Sequence, residues 1–185
     1  LDEAARRTVL RERAQSRGLI VVSHDVHEIT AVADRPGETD GWAMQYPRIE
    51  LGGAVQGSQV QVVSLESSYD RTTQRAVIQK PAGYVPGAPV PLIIAFHGWG
   101  GRDFDALKPL ADACSRRGWL LAAPDTRNAS EHTPSKAVQR DVLDLLQYMT
   151  SNPEYAVDTS RVYLMGNSMG GMMASVIASK YPDRF

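Results

Sequence analysis

From Leu92 onward the chain alternates three times between a short apolar segment and a longer helical pattern, and this rhythm leaves few folds open. Leu92 to Phe96, Trp119 to Ala123 and Val162 to Met165 carry almost no polar residue. A strand that is apolar at every position is covered on both faces, as strands of a parallel sheet are. The intervening segments, Phe104 to Arg117, Ser135 to Thr150 and Met169 to Tyr181, are long enough to be crossover helices. The expected fold class is therefore α/β, a three-layer sandwich with a mostly parallel sheet.

Val60, Val62 and Leu65 suggest one strand ahead of this region and Arg75 to Gln79 another, with Ser68 to Arg71 as the turn of an antiparallel hairpin. Residues 1–55 read differently. Asp2 to Arg17 is charged and helix-like, Leu19 to Val22 is strand-like, and the stretch from Asp34 to Gly57 is broken by prolines and glycines. The domain expectation is an N-terminal extension over 1–55 and the first part of an α/β domain over 56–185.

Helix signals refine the reading. Ser135 precedes a stripe of Val138, Val142, Leu145, Leu146 and Met149, and Asn152-Pro153 ends it. Asp141 and Asp144 lie off that stripe and read as solvated charge. Pro109 is expected to begin the regular part of its helix, because proline suits a first turn and disrupts an interior one. Gly118 supplies the stop. Cys114 shares the apolar side of that helix with Leu107 and Leu110, which argues for a buried, inert thiol.

In an open α/β sheet the site lies at the carboxyl ends of the strands, where His97, Asp125 and Ser168 all fall. Ser168 sits in Gly166-Asn167-Ser168-Met169-Gly170, between an apolar strand and a helix. A serine on such a sharp turn is held in a strained conformation, and side chains two positions either side of it would clash. A serine hydroxyl becomes nucleophilic once a histidine takes its proton and a carboxylate orients that histidine. The developing oxyanion needs two preorganised N–H donors. The N–H of Met169 is one candidate. The N–H of Trp99 is the other, in His97-Gly98-Trp99-Gly100-Gly101, where the glycines let backbone approach a substrate. His97 reads as a support of that loop, and Trp99 adds a ring to line a pocket. Asp125 reads as a turn former, with loop orientation or substrate contact as alternatives.

These two motifs, in this order and on these elements, resemble the first part of an α/β-hydrolase-fold serine hydrolase over about Val60 to Phe185. With Val157 to Tyr163 ahead of the elbow, the stretch resembles esterases related to feruloyl esterases and polyhydroxybutyrate depolymerases. It resembles prolyl-oligopeptidase-like hydrolases almost as well. The resemblance implies Ser168 as nucleophile, the Trp99 and Met169 amides as oxyanion hole, and an acyl-enzyme formed without metal or organic cofactor. Its implied partner is a small-molecule or polymeric ester, and its implied location leans secreted or periplasmic. In the family the acid and the histidine follow the serine. Here His24, His27, His97 and His132 all precede it. The expectation is a domain incomplete at its C-terminus, inactive alone, whose alternatives are a peptidase or a non-catalytic ligand-binding module of the same fold.

Other classes find little support. A formal net charge of -1 with both signs interspersed argues against nucleic acid as partner. One cysteine excludes an internal disulfide framework and a multi-cysteine metal site. No apolar run reaches the ~18 residues that a membrane span requires. His24-Asp25-Val26-His27 is too weak a pattern for a metal site, and polar side chains facing solvent account for it. Gly98 to Gly101 lacks the third glycine of a dinucleotide loop, and neither motif has the lysine and hydroxyl of a nucleotide loop.

Overall fold

The computed structural model describes residues 20–23, 57–127 and 134–185. In chain order the elements are β1 (Ile20–Ser23), β2 (Gln59–Glu66), β3 (Thr73–Lys80), β4 (Val90–Phe96), α1 (Asp103–Arg117), β5 (Leu120–Pro124), α2 (Lys136–Ser151), β6 (Val157–Asn167) and α3 (Met169–Lys180). The strands form one sheet in the order β1-β6-β4-β5-β3-β2. β4 is parallel to both β5 and β6, and β6 is parallel to β1. The β2–β3 hairpin joins antiparallel to β5. The helix-like reading of Asp2 to Arg17, most of the loop-rich stretch before Gly57, and His24, His27 and His132 lie outside the described residues.

The order of the central strands dictates where the helices go. The chain steps from β4 to β5 on one side, then crosses back over β4 to lay down β6 on the other. With right-handed crossovers, a reversal of direction places successive helices on opposite faces. Accordingly α1 packs with Val77, Ile93, Ala95, Leu121 and Ala123 on one face. α2 and α3 pack with Ile78, Leu92, Ile94, Leu120, Ala122 and Leu164 on the other. β4 and β5 alternate between two buried faces, which is why they carry no polar position. The strand of residues 20–23, from the segment read as an extension, is part of this same sheet.

β2 lies at an edge, and its apolar residues do not share a face. Val60 and Val62 point outward, 39% and 51% exposed, while Val63 and Leu65 pack against the core. The inward polar residue, Gln61, donates to the Tyr155 hydroxyl. Two helical expectations need correction. α1 is regular from Asp103 to Arg117, so Pro109 lies inside it and the helix forgoes one N–H donor there. Asp141 is buried at 9% exposure, not solvated, because the β2–β3 turn and Arg127 cover its side of α2. Asp144 is also engaged, accepting from the Ser68 amide and hydroxyl, both at 2.8 Å. The remaining helix signals act locally: Ser135 caps α2 by accepting from the Val138 amide, and Gly118 takes φ +70° after α1. Among the described residues, no helix is long and apolar enough to cross a membrane.

Candidate active site

β6 ends at Asn167 and α3 begins at Met169, so Ser168 alone makes the turn between them. Its backbone stands at φ +54° and ψ −118°, a region that side-chain-bearing residues rarely enter. Ser168 occupies the cap position of α3, yet its side chain makes no capping hydrogen bond. The residue is exposed, which leaves the hydroxyl open to solvent at the tip of the turn.

The flanking glycines make this turn sterically possible. A Cβ on Gly166 would lie 2.2 Å from the Gly170 carbonyl carbon. A Cβ on Gly170 would lie 2.4 Å from the Phe96 oxygen and 2.7 Å from the His97 oxygen. The obstructing atoms are backbone, so no rotamer change could relieve either clash. The first turn of α3 thus backs directly onto the end of β4, and this contact brings the two glycine-rich motifs together. On the other side of the junction, a Cβ on Gly98 would sit 3.7 Å from the Asn167 oxygen.

The amides of Met169, Gly170 and Gly171 belong to the first turn of α3 and have no carbonyl one turn behind them. Together with the helix dipole they make the region beside Ser168 favourable to negative charge. The Met172 amide closes the turn onto the Ser168 oxygen at 3.1 Å. Facing this end, Gly98 to Gly101 form a turn in which the Gly101 amide donates to the Gly98 oxygen at 3.1 Å. Gly100 takes φ +72° in that turn, where a side chain would be strained. Trp99 projects from it, 73% exposed.

His97 is buried, 1% exposed, with both ring nitrogens engaged. Nδ1 lies 2.8 Å from the Gly98 oxygen, and Nε2 lies 2.6 Å from Thr126 Oγ1. A carbonyl only accepts, so Nδ1 carries the proton, and in the neutral ring Nε2 accepts from the threonine hydroxyl. This imidazole is committed to two fixed neighbours. Asp125, 1% exposed, receives both Nε and Nη2 of Arg102, at 2.8 and 2.9 Å. Asp125 therefore holds the far end of the glycine turn, a role beyond ordinary turn formation. Thr126 escaped the reading of the sequence, because nothing about an isolated threonine after a strand says what its hydroxyl will face. Its only local signal is an unusual backbone, φ +38°, followed by Arg127 at φ +60°.

Arg127 anchors the same segment from the opposite side. Its guanidinium donates to Asp70 at 2.6 Å and to both Asp141 oxygens, at 2.9 and 3.1 Å. Hydrogen bonds from Arg127 and Thr72 hold the Asp70 carboxyl well below the usual range. Burial pushes Asp141 upward, against the opposing pull of Ser67 and Arg127. Cys114 is buried on the α1 side, and burial pushes its thiol up to about 12.

Comparison with known proteins places this geometry in context. A family model described as the alpha/beta hydrolase fold matches residues 91–185, a span that includes both glycine-rich motifs. Feruloyl esterase B of Neurospora crassa is 31% identical over a match that covers 51% of this chain and 36% of that protein. Its namesake from Thermothelomyces thermophilus is 30% identical with the same coverage. The chain thus spans about a third of the length of the curated relatives it matches. Among solved structures, an S-formylglutathione hydrolase from Agrobacterium tumefaciens superposes with a TM-score of 0.57 at 19% identity. That match covers 70% of this chain and 56% of the other. An acetyl xylan esterase from Paenibacillus sp. R4 gives 0.57 at 21% identity, covering 72% and 48%. At such identities the likeness is one of fold.

Proposed function

The chain belongs to the family of proteins with the alpha/beta hydrolase fold, and from that premise we propose that it supplies the nucleophile and oxyanion hole of a serine esterase. Ser168 Oγ attacks the carbonyl carbon of a carboxylic ester as a histidine takes its proton. The oxyanion is met by the Met169 and Trp99 amides, each worth about 3 kcal/mol of barrier in sites of this kind. The tetrahedral adduct collapses, the alcohol leaves with the histidine's proton, and an acyl-serine remains. Water then attacks that acyl group, returning the serine and releasing the acid.

The observation that carries this reading is the uncapped, exposed Ser168 at φ +54°, beside the first-turn amides of α3, which have no intrahelical acceptor. A serine that merely started a helix would turn its hydroxyl back to cap the first turn. His97 is not the base, since its two nitrogens are engaged with Gly98 and Thr126. His97 is the one histidine among the described residues, so in this reading the base and its carboxylate come from outside them. The ester preference rests on the feruloyl esterase relatives, which carry the name of an esterase.

Full-length protein offered an aryl ester and an aminoacyl anilide tests the reading. It should cleave the ester with a burst of alcohol release, and Ser168→Ala should remove that activity. Preference for the anilide would make it a peptidase, and cleavage of neither would leave a binding module.

A further inference from the structure

The loop that carries Trp99 is fixed at each end by neighbouring residues of one short segment. His97, at its start, is held by Thr126 through Nε2. Arg102, at its end, is held by Asp125 through two parallel hydrogen bonds. Asp103, the next residue, is buried and pairs with Arg75 at 2.8 Å. The Arg75 oxygen in turn accepts from the Asp125 amide at 2.9 Å, which closes the circuit. Between these anchors lies Gly98-Trp99-Gly100-Gly101, with three glycines and no intrinsic stiffness.

Asp125 to Arg127 is itself held from behind. Arg127 reaches Asp70 in the β2–β3 turn and Asp141 on α2. Thr126 and Arg127 both stand at positive φ, +38° and +60°, which β-branched and long side chains adopt only when their surroundings require it. That conformation turns consecutive side chains to opposite tasks: Thr126 toward His97, Arg127 toward the hairpin and α2. The segment braces the glycine-rich loop against the main body of the sheet.

We propose that Thr126 and Asp125 are positioning residues for the oxyanion hole, setting the Trp99 amide through His97 and Arg102. This rests on the serine-esterase reading above and adds two residues that act without touching substrate. A loop fixed at both ends needs no reorganisation when the oxyanion forms, whereas a loosened one must be ordered during the reaction.

The test uses full-length protein with an aryl ester and its thionoester, in which sulfur replaces the carbonyl oxygen. Thr126→Val keeps the shape and removes the hydroxyl. It should lower kcat between about tenfold and a hundredfold with KM within about twofold, as loss of alignment to one donor does. The ratio of oxo-ester to thionoester rates should fall with it, because that preference comes from the hydrogen-bonded oxyanion. Thr126→Ser should restore both to within about threefold. Asp125→Asn, nearly isosteric, should show the same kcat loss and gives a second reading if the valine variant fails to fold. Wild-type kcat in Thr126→Val and Asp125→Asn, with activity still abolished in Ser168→Ala, overturns this proposal and leaves the esterase reading intact. A wild-type protein that cleaves neither ester overturns both.

Discussion

At the scale of single residues, the site depends on what is absent at Gly166 and Gly170 as much as on what Ser168 presents. Adding a methyl group at Gly170 would drive it into the Phe96 and His97 carbonyls. Because backbone cannot rotate away, the first turn of α3 must shift. Gly170→Ala should cost about 1–3 kcal/mol, seen as a lowered urea midpoint, and should also slow acylation by moving the Met169 amide. Unchanged stability and acylation would mean that the junction with β4 is looser than this geometry requires. Cys114 offers a different residue-level check. Its thiol, pushed up to about 12 by burial, should stay unreactive toward a disulfide reagent at pH 8 until denaturant exposes it. Since an unfolded thiol ionises near about 8.5, its contribution to stability is complete below that pH. It fades as pH rises toward about 12, and Cys114→Ala should lack that part of the alkaline slope.

At the scale of elements, β4 and β5 were legible because burial on both faces strips them of polar residues. Leu92 to Phe96 and Leu120 to Ala123 announce themselves by composition, and Ser168 by the glycines its turn needs. Asp141 was illegible for the opposite reason. Its position on α2 is away from the apolar stripe, and only the arrival of Arg127 and Ser67, 14 and 74 residues away, turns that flank into an interior. Thr126 hid in the same manner, its partner His97 being 29 residues upstream. Pro109 misled because its usual preference is for a first turn, and here the helix extends ahead of it. The Arg127 network carries its own prediction. Removing the guanidinium leaves a buried, unpaired Asp141, so Arg127→Ala should cost about 3 kcal/mol at neutral pH. Burial favours the protonated carboxyl of Asp141, so that deficit should shrink as pH falls toward the carboxylate range. Asp70 works in the same direction: its pairing with Arg127 stabilises the wild type above its unfolded pKa of about 3.9 and is lost in acid. Urea melts of wild type and variant between pH 7 and 4 measure this, and a deficit that grows in acid would contradict it.

At the scale of the whole molecule, the fold gathers its rigid parts around the carboxyl ends of β4, β5 and β6. The central strands have both faces covered, while β2 is an edge with Val60 and Val62 exposed. Native-state hydrogen exchange should therefore find the amides of Ile94 and Ala122 among the slowest and those of β2 markedly faster. That gradient matters for the proposed chemistry, because Ser168 and Met169 stand at the junction of β6 and α3, beside the covered strands. The most direct check of the account is to treat the full-length protein with a fluorophosphonate and map the adduct by mass spectrometry. Modification at Ser168, absent from Ser168→Ala, is the predicted result. Labelling that persists in Ser168→Ala, or no labelling of a folded wild-type protein, would contradict it.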